Sequence, residues 1–546
     1  MKKTLLTLGV AGMAALSQSC APEKPRKKTN ILFVISDDQS WKHTGMENIP
    51  ELKTPGFDFL ARNGAYFENA YASAPSCTPS CAAALTGRNG WELGETSTLW
   101  GRFGDEQLAY TDILAEKGYA VGMTGKGWGP GIMGGKRKQN PAGKNYSSKK
   151  KQIIKGTWAL SNIDYTENFK QFYGEKKPDQ PFCFWFGAKE PHRPYVTGTG
   201  VSLGGKNLAQ VPLPGFWPKD STISSDVADY FFEIEHYDSH LKNIVEFLEE
   251  KNELENTLII VTSDNGMPFP RAKANLYEFG AHVPLAIYWK GKIEKGRRIS
   301  EIVSLIDIAP TILEATGQKI PERMTGQSLL PALESEKNLK TLRNRAYPYR
   351  ERHAYSYADG VAYASRAIRR DDYLLIWNLT PDMYPSGDIS PENNRNFLPY
   401  GDVDSGPTKD FLLAGKYDPE IGKFYRMNFG KRPEVEFFNV KKDPYQNENL
   451  ADNPAFTETK NSMFTELKEY LSKTGDPRMK GHGEKFAQNP YYGSTQWNGF
   501  VGKQRWDKMT EEEREKTKDK VERTRKNNTK KLKEMGWSES DKNIVI

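Results

Sequence analysis

"NILFVISDDQS", residues 30–40, is an unbroken apolar run that ends in two aspartates. A run of this length without polar alternation predicts a strand buried on both faces, as in the middle of a parallel sheet. Three other stretches read the same way. "YAVGMTGKG" (119–127) ends around Lys126, "PFCFWFGAKEPHRPY" (181–195) leads to His192, and "NTLIIVTSDNG" (256–266) ends in Asp264 and Asn265. Between the last two, Tyr230, Ile234, Tyr237, Leu241, Ile244, Val245 and Leu248 recur at intervals of three and four, which predicts a helix over 227–248. Strands alternating with helices indicate an α/β layer fold, and ligands of open α/β sheets collect beyond the carboxyl ends of the strands. All four predicted strand ends carry polar or charged residues, so they converge on one candidate site.

The chain has 546 residues, more than one hydrophobic core usually serves, which predicts a large domain and a smaller one. The α/β texture occupies 28–350. From 351 to about 500, stretches such as "AYASRAIRRDDYLLIWNLTP" and "PEVEFFNVKKDPYQNENLADNP" read as antiparallel strands with turns, followed by a helix near 455–472, hence a C-terminal α+β subdomain. Residues 501–546 are dense in Lys, Arg and Glu and read as a charged helical tail, either a solvated helix or a frayed end. A hydrophobic fraction of 37% with 12% aromatics excludes a disordered chain. The net charge of +7 is modest, and no compact nucleic-acid motif accompanies it, so nucleic acid is not an expected partner.

The first twenty residues, "MKKTLLTLGVAGMAALSQSC", place Lys2 and Lys3 before an apolar stretch from Leu5 to Leu16 and small polar residues before Cys20. This is the layout of a secretory signal peptide, too short for a membrane span. Cys20 after Ser-Gln-Ser resembles a lipoprotein box, which implies a lipid anchor through Cys20. The expected location is the periplasm or the outer membrane. Without Cys20, Cys77, Cys81 and Cys183 remain, and an odd number in an oxidising compartment argues against a disulfide framework.

Two of those cysteines lie in "CTPSCAAALTGR" (77–88), where Pro79, Ser80 and the alanines that follow predict a helix with Cys77 at its N-terminus. Backbone N–H groups there favour an anion. A Cys77–Cys81 disulfide, a metal clamp and a modified nucleophile are the available readings. Asp37, Asp38, Asp264 and Asn265 are hard oxygen ligands suited to Ca²⁺ or Mg²⁺, although Asp-Asp and Asp-Asn-Gly also occur as plain strand-to-loop turns.

The segment 77–88 resembles the signature of the formylglycine-dependent sulfatase family: Cys or Ser, any residue, Pro-Ser-Arg, three residues, Leu-Thr-Gly-Arg. "TSDNGMPFPRAKANLY" (262–277) and "EPHRPY" (190–195) are most similar to the heparan N-sulfatase (N-sulfoglucosamine sulfohydrolase) branch. "ISDDQ", the Gly-Lys of 125–126, "SLIDIAPTILEATG" (304–317) and "FFNVKKDPYQNENLADNP" (437–454) are also similar to sulfatases, in the family's order, over roughly residues 28 to 470. The resemblance implies an alkaline-phosphatase-like fold, with a large central mixed sheet flanked by helices.

It also implies that Cys77 is oxidised to formylglycine by a sulfatase-maturating enzyme. One Ca²⁺ would be held by Asp37, Asp38, Asp264 and Asn265 against the modified Cys77. Lys126 and Lys273 would grip sulfate oxygens, and His192 would give a proton to the leaving group. The implied reaction is hydrolysis of a sulfate ester or N-sulfamate on a glycosaminoglycan-like sugar. On that reading a disulfide would tie off the residue the motif exposes, and the neighbouring carboxylates favour a hard ion over a thiol-ligated one.

Two positions depart from the family. Cys81 stands where the family has arginine, and Trp128 stands where histidine usually follows the lysine by two residues. A shifted specificity, with Trp128 stacking on a sugar ring, and a catalytically inactive sulfated-glycan-binding protein are both compatible with these changes, as is a phosphate or phosphonate monoester hydrolase of the related superfamily. Trp91 and Trp100 are further candidate sugar platforms or core residues. The basic segment "GKRKQNPAGKNYSSKKK" (135–151) could steer a polyanionic glycan or merely be solvated.

Overall fold

The computed structural model describes residues 27–153, 155–495, 503–538 and 541. The signal-peptide reading of 1–20, with Cys20, lies outside the described residues. The strand predicted from the opening run is Asn30–Ser36 (β1), buried along its whole length. It joins Ala65–Tyr71 (β2), Ala120–Gly125 (β3), Lys144–Asn145 (β4), Phe182–Gly187 (β5), Thr257–Ser263 (β6), His282–Tyr288 (β7) and Arg297–Ser304 (β8). These form one eight-stranded sheet in the order β8-β2-β7-β6-β1-β5-β3-β4. Only β7 runs against the rest, pairing antiparallel with β2 and β6. The sheet is mixed, as the family resemblance implied.

Side chains alternate across β1, so each face has its own core. Leu32 and Val34 pack with Phe182, Phe184 and Phe186 of β5 on one face. Ile31, Phe33 and Ile35 pack with Cys183 and Trp185 on the other. The first face is covered by Ser221–Glu250, a helix that starts and ends a few residues outside the predicted span and is capped by the Asp220 carboxylate accepting from the N–H of Thr222. Its Ile234, Leu241, Ile244 and Leu248 are fully buried, each contributing about 1.5–3 kcal/mol. The second face is covered in part by the helix Cys77–Thr86, which is buried from end to end.

A second, smaller antiparallel sheet is built from Arg345–Ala346, Tyr349–Arg350, Ser365–Arg370, Tyr373–Asn378 and Val435–Asn439, with the helix Thr457–Lys473 packed against it. Its Arg366 is fully buried and bonds Glu351 at 2.8 Å and Asp476. The charged C-terminal stretch forms the helix Glu511–Glu534, whose Leu532 is buried in the main core. No helix among the described residues is long and apolar enough to cross a membrane.

Candidate active site

The four strands read from sequence are neighbours in the sheet, β6-β1-β5-β3, so their carboxyl ends meet. Ser36 pairs with Ser263, and the residues that follow are therefore side by side: the N–H of Asp38 donates to Asp264 Oδ1 at 3.0 Å. Asp38 takes the left-handed conformation (φ 77°), which turns the chain sharply off the strand. Lys126 follows β3, its N–H donating to the Gly187 carbonyl at 2.7 Å. Lys273 comes from a loop in which the N–H of Ala274 donates to the Pro75 carbonyl, tying that loop to the residues before Cys77.

The helix Cys77–Thr86 begins after an extended Ser76 and stops at Gly87 (φ 64°), whose N–H donates to the Ala83 carbonyl. Ser76 gives no side-chain cap, because its hydroxyl is 2.8 Å from His353 Nδ1. Cys77 Sγ donates to Asp37 Oδ1 at 3.4 Å. Cys77, Cys81 and Cys183 are all buried free thiols.

Around Cys77, Asp37, Asp38 and Asp264 bring carboxylate oxygens within 4.8 Å of one another. Two lysines partly balance them. Lys126 pairs with Asp37 and, at 2.7 Å, with Asp264; Lys273 pairs with Asp38 at 2.7 Å and Asp404 at 3.3 Å. Burial pushes the Asp37 carboxyl up to about 6 against the pull of Lys126. Burial also raises the Cys77 thiol well above its ordinary value, so the unmodified residue is a poor nucleophile.

The donor chemistry fits a hard cation. Asn265 Nδ2 donates to Asp38 at 2.9 Å and to Asp264, whereas its Oδ1 is buried with no hydrogen-bond partner. An orphaned amide oxygen beside three carboxylates is the ligand set of Ca²⁺ or Mg²⁺. His192 stands at the edge, with Nδ1 donating to the Arg193 carbonyl at 2.6 Å and Nε2 3.7 Å from Asp38.

The site opens into two lobes that share Asp37, Lys126, Pro130 and His192. The inner lobe, about 230 Å³, holds Cys77 and Lys273. The outer lobe, about 660 Å³, is walled by Trp158, Asn162, Lys189 and Glu233.

Asp37, Asp38, Cys77, Lys126, His192, Asp264, Asn265 and Lys273 are thus brought together. Trp128 and Cys81 are not on the cleft wall. Trp128 is 4% exposed, packed edge-on against Phe103, and Cys81 is 1% exposed in the core beneath the sheet. Cys81 lies one helical turn past Cys77, buried yet near enough to Asp264, Lys126 and Asp37 for their charges to act on its thiol, and the Trp128 indole packs inward against Phe103. Trp91 is also core, whereas Trp100 lines the inner lobe. Sequence reasoning missed His353, Arg395 and Asp404, which line the inner lobe from the C-terminal half. They sit on loops with no strand end or periodicity to mark them.

Comparison with known proteins agrees with this geometry. The family model "Sulfatase" matches residues 29–318, and "N-sulphoglucosamine sulphohydrolase, C-terminal" matches 271–389. The chain is 26% identical to human N-sulphoglucosamine sulphohydrolase over 82% of this chain and 91% of that protein. It is 26% identical to an N-acetylglucosamine-6-O-sulfatase of Bacteroides thetaiotaomicron over 67% of this chain and 81% of that one. A solved structure of a protein in complex with its substrate D-glucosamine-2-N,6-O-disulfate shares the fold, with a TM-score of 0.59 and 18% identity, covering 82% of this chain and 99% of that one. With more than half its length matched and the site residues assembled at the strand ends, the chain belongs to the sulfatase family of sulfate-ester and sulfamate hydrolases.

Proposed function

We propose that the protein is an exported sulfatase that uses formylglycine derived from Cys77, together with one Ca²⁺, to remove sulfate from a glucosamine-type sugar of a glycosaminoglycan. The observation that carries this reading is the placement of Cys77 at a helix N-terminus against Asp37, beside three carboxylates and the orphaned oxygen of Asn265. Asp37, Asp38, Asp264 and Asn265 would hold the ion. When bound, Ca²⁺ supplies Lewis acidity and formylglycine supplies a hydrated aldehyde, whose two hydroxyls on one carbon allow attack on sulfur and later expulsion of sulfate.

The remaining work falls to the chain's own side chains. Lys126 and Lys273 line the lobe that holds Cys77 and would stabilise charge on the sulfuryl oxygens. His192 commits Nδ1 to the Arg193 carbonyl, which leaves Nε2 as the atom that gives the leaving group its proton. The glucosamine assignment draws on the sulphohydrolase relative and on the glucosamine disulfate held by the structural neighbour. Export through residues 1–20, lipidation of Cys20 and processing by a sulfatase-maturating enzyme complete the proposal.

The test is to co-produce the protein with a maturating enzyme, weigh the peptide Asn63–Arg88, and assay sulfate release from N-sulfo- and 6-O-sulfoglucosamine alongside a phosphate monoester. The expected result is a mass lowered by the thiol-to-aldehyde difference and release of sulfate in preference to phosphate. An unmodified Cys77, with a control sulfatase converted in the same cells, would favour the glycan-binding reading. Preference for the phosphate monoester would favour a phosphatase.

A further inference from the structure

The inner lobe contains one cation that the sulfatase chemistry leaves unused. Lys126 and Lys273 are neutralised by the aspartates around Cys77, and His353 is bonded to Ser76. Asp402, also on the wall, is taken by Arg350 at 2.7 Å. Arg395 lines the same cavity, half-buried, and its guanidinium makes no ion pair or side-chain hydrogen bond among the described residues. The nearest anion is Asp404, whose carboxyl, against the effect of burial, Lys273 and, more weakly, Arg395 hold below its ordinary range; it pairs with Lys273 at 3.3 Å, so the N–H groups of the guanidinium stay available to a ligand.

Its backbone is held on both sides. Asn394, fully buried, donates to the carbonyls of Asp388 at 2.9 Å and Ser390 at 2.7 Å and accepts from the N–H of Gly401 at 2.7 Å. The Asn396 carbonyl accepts from Asn528 Nδ2 at 2.8 Å. The N–H of Arg395 itself donates to the Tyr355 carbonyl at 3.1 Å. The fork is therefore presented from a fixed loop, which lowers the ordering cost of binding.

The cavity of about 230 Å³ equals roughly eight waters at ~30 Å³ each, space on the scale of one sugar ring. A guanidinium in so small a cavity meets a substituent of the same ring whose sulfate faces Cys77. Planar guanidinium matches sulfate and carboxylate oxygens two at a time, which a lysine cannot do. Resting on the sulfatase reading of this cleft, we propose that Arg395 binds a second anionic group, a sulfate or a carboxylate, on the sugar that bears the scissile sulfate, so that the preferred substrate is at least doubly charged.

The experiment measures binding by calorimetry to the full chain carrying Cys77→Ser, so that affinity is read without turnover. One arm compares glucosamine N,6-disulfate with the two monosulfated glucosamines. The other compares 2-O-sulfated hexuronic acid with its methyl ester, which separates carboxylate from sulfate as the second group. In at least one arm the doubly charged sugar is expected to bind about tenfold tighter. Arg395→Gln should reduce that advantage to within twofold, with Arg395→Lys intermediate and melting temperatures of both variants unchanged. No advantage in either arm, or one that survives Arg395→Gln, overturns the assignment. Sulfate release by the matured wild type is measured separately. Charge-selective binding without release overturns the sulfatase reading alone, and release without charge preference overturns the role of Arg395 alone.

Discussion

Asn265 shows how a single side chain reports what the site is built to hold. Both of its amide hydrogens go to carboxylates and its oxygen has no donor, an arrangement that is unfavourable in an empty apolar interior and favourable around a cation. Ca²⁺ at a hundred times its dissociation constant should stabilise the wild type by about 2.7 kcal/mol, visible as a raised melting temperature that a chelator reverses. Asn265→Ala should lose most of that shift; an undiminished shift would place the ion elsewhere. Glu233 presents a different case on the wall of the outer lobe. Burial, with Glu190 and Asp229 nearby, pushes its carboxyl up to about 9. The folded value thus lies above the ~4.3 of an unfolded glutamate, so the stability linked to its proton is complete below that value and is lost as pH rises towards 9. Glu233→Gln carries no such linkage. Between pH 5 and 9 its stability should gain on the wild type by an amount on the order of a few kcal/mol, read as a melting-temperature difference that widens with pH, and a pH-independent gap would show that Glu233 ionises freely.

At the scale of elements, the strands were legible because unbroken apolar runs have few alternatives in a chain of this composition, and the charged residue ending each run marked where the site would be. The helix after Ser76 was legible from Pro79 and the alanines, and its stop from Gly87. The C-terminal helix was legible as a helix, but its role was hidden. Its sequence is mostly charge, and the few residues that dock it are scattered among lysines and glutamates. Leu532 enters the core, Lys531 pairs with Asp410 at 2.6 Å, and Asn528 holds the Asn396 carbonyl beside Arg395. The helix therefore braces the loop that walls the inner lobe, where a solvated or frayed tail was expected. Removing one neutral hydrogen bond costs about 1 kcal/mol, so Asn528→Ala should leave the fold intact. Steady-state kinetics on a sulfated sugar should show KM raised several-fold at nearly constant kcat, because the loop is loosened while Cys77 and its neighbours are untouched. An unchanged KM would mean the helix only decorates the surface.

Across the whole molecule, the cleft is shared between the strand ends of the large sheet and loops of the C-terminal half, and only the first contribution could be read in advance. His353, Arg395 and Asp404 reach the site by folding back over a long stretch of chain, and nothing in their local sequence encodes that return. Cys81 and Trp128 show a second limit, since position next to a motif residue does not determine whether a side chain is buried or lines the cleft. The basic segment 135–151 can now be located. Lys151 donates its N–H to the carbonyl of Asn162, a wall residue of the outer lobe, and Lys136, Lys138, Lys149 and Lys150 are exposed without an ion pair among the described residues. Of these, Lys149 and Lys150 adjoin the outer-lobe wall, through the Lys149 carbonyl accepting from the N–H of Asp164 and the bridge between Lys150 and Ile163, and neither lines the inner lobe. Screening lengths fall from about 10 Å at 0.1 M salt to about 3 Å at 1 M, so such steering is lost on raising ionic strength while contacts inside the lobe persist. A sulfated oligosaccharide should therefore show KM rising several-fold between 50 and 500 mM NaCl with kcat unchanged, and a sulfated monosaccharide should change less than about twofold. Equal salt dependence for the two would remove the basic segment from substrate capture and leave its lysines as solvated surface.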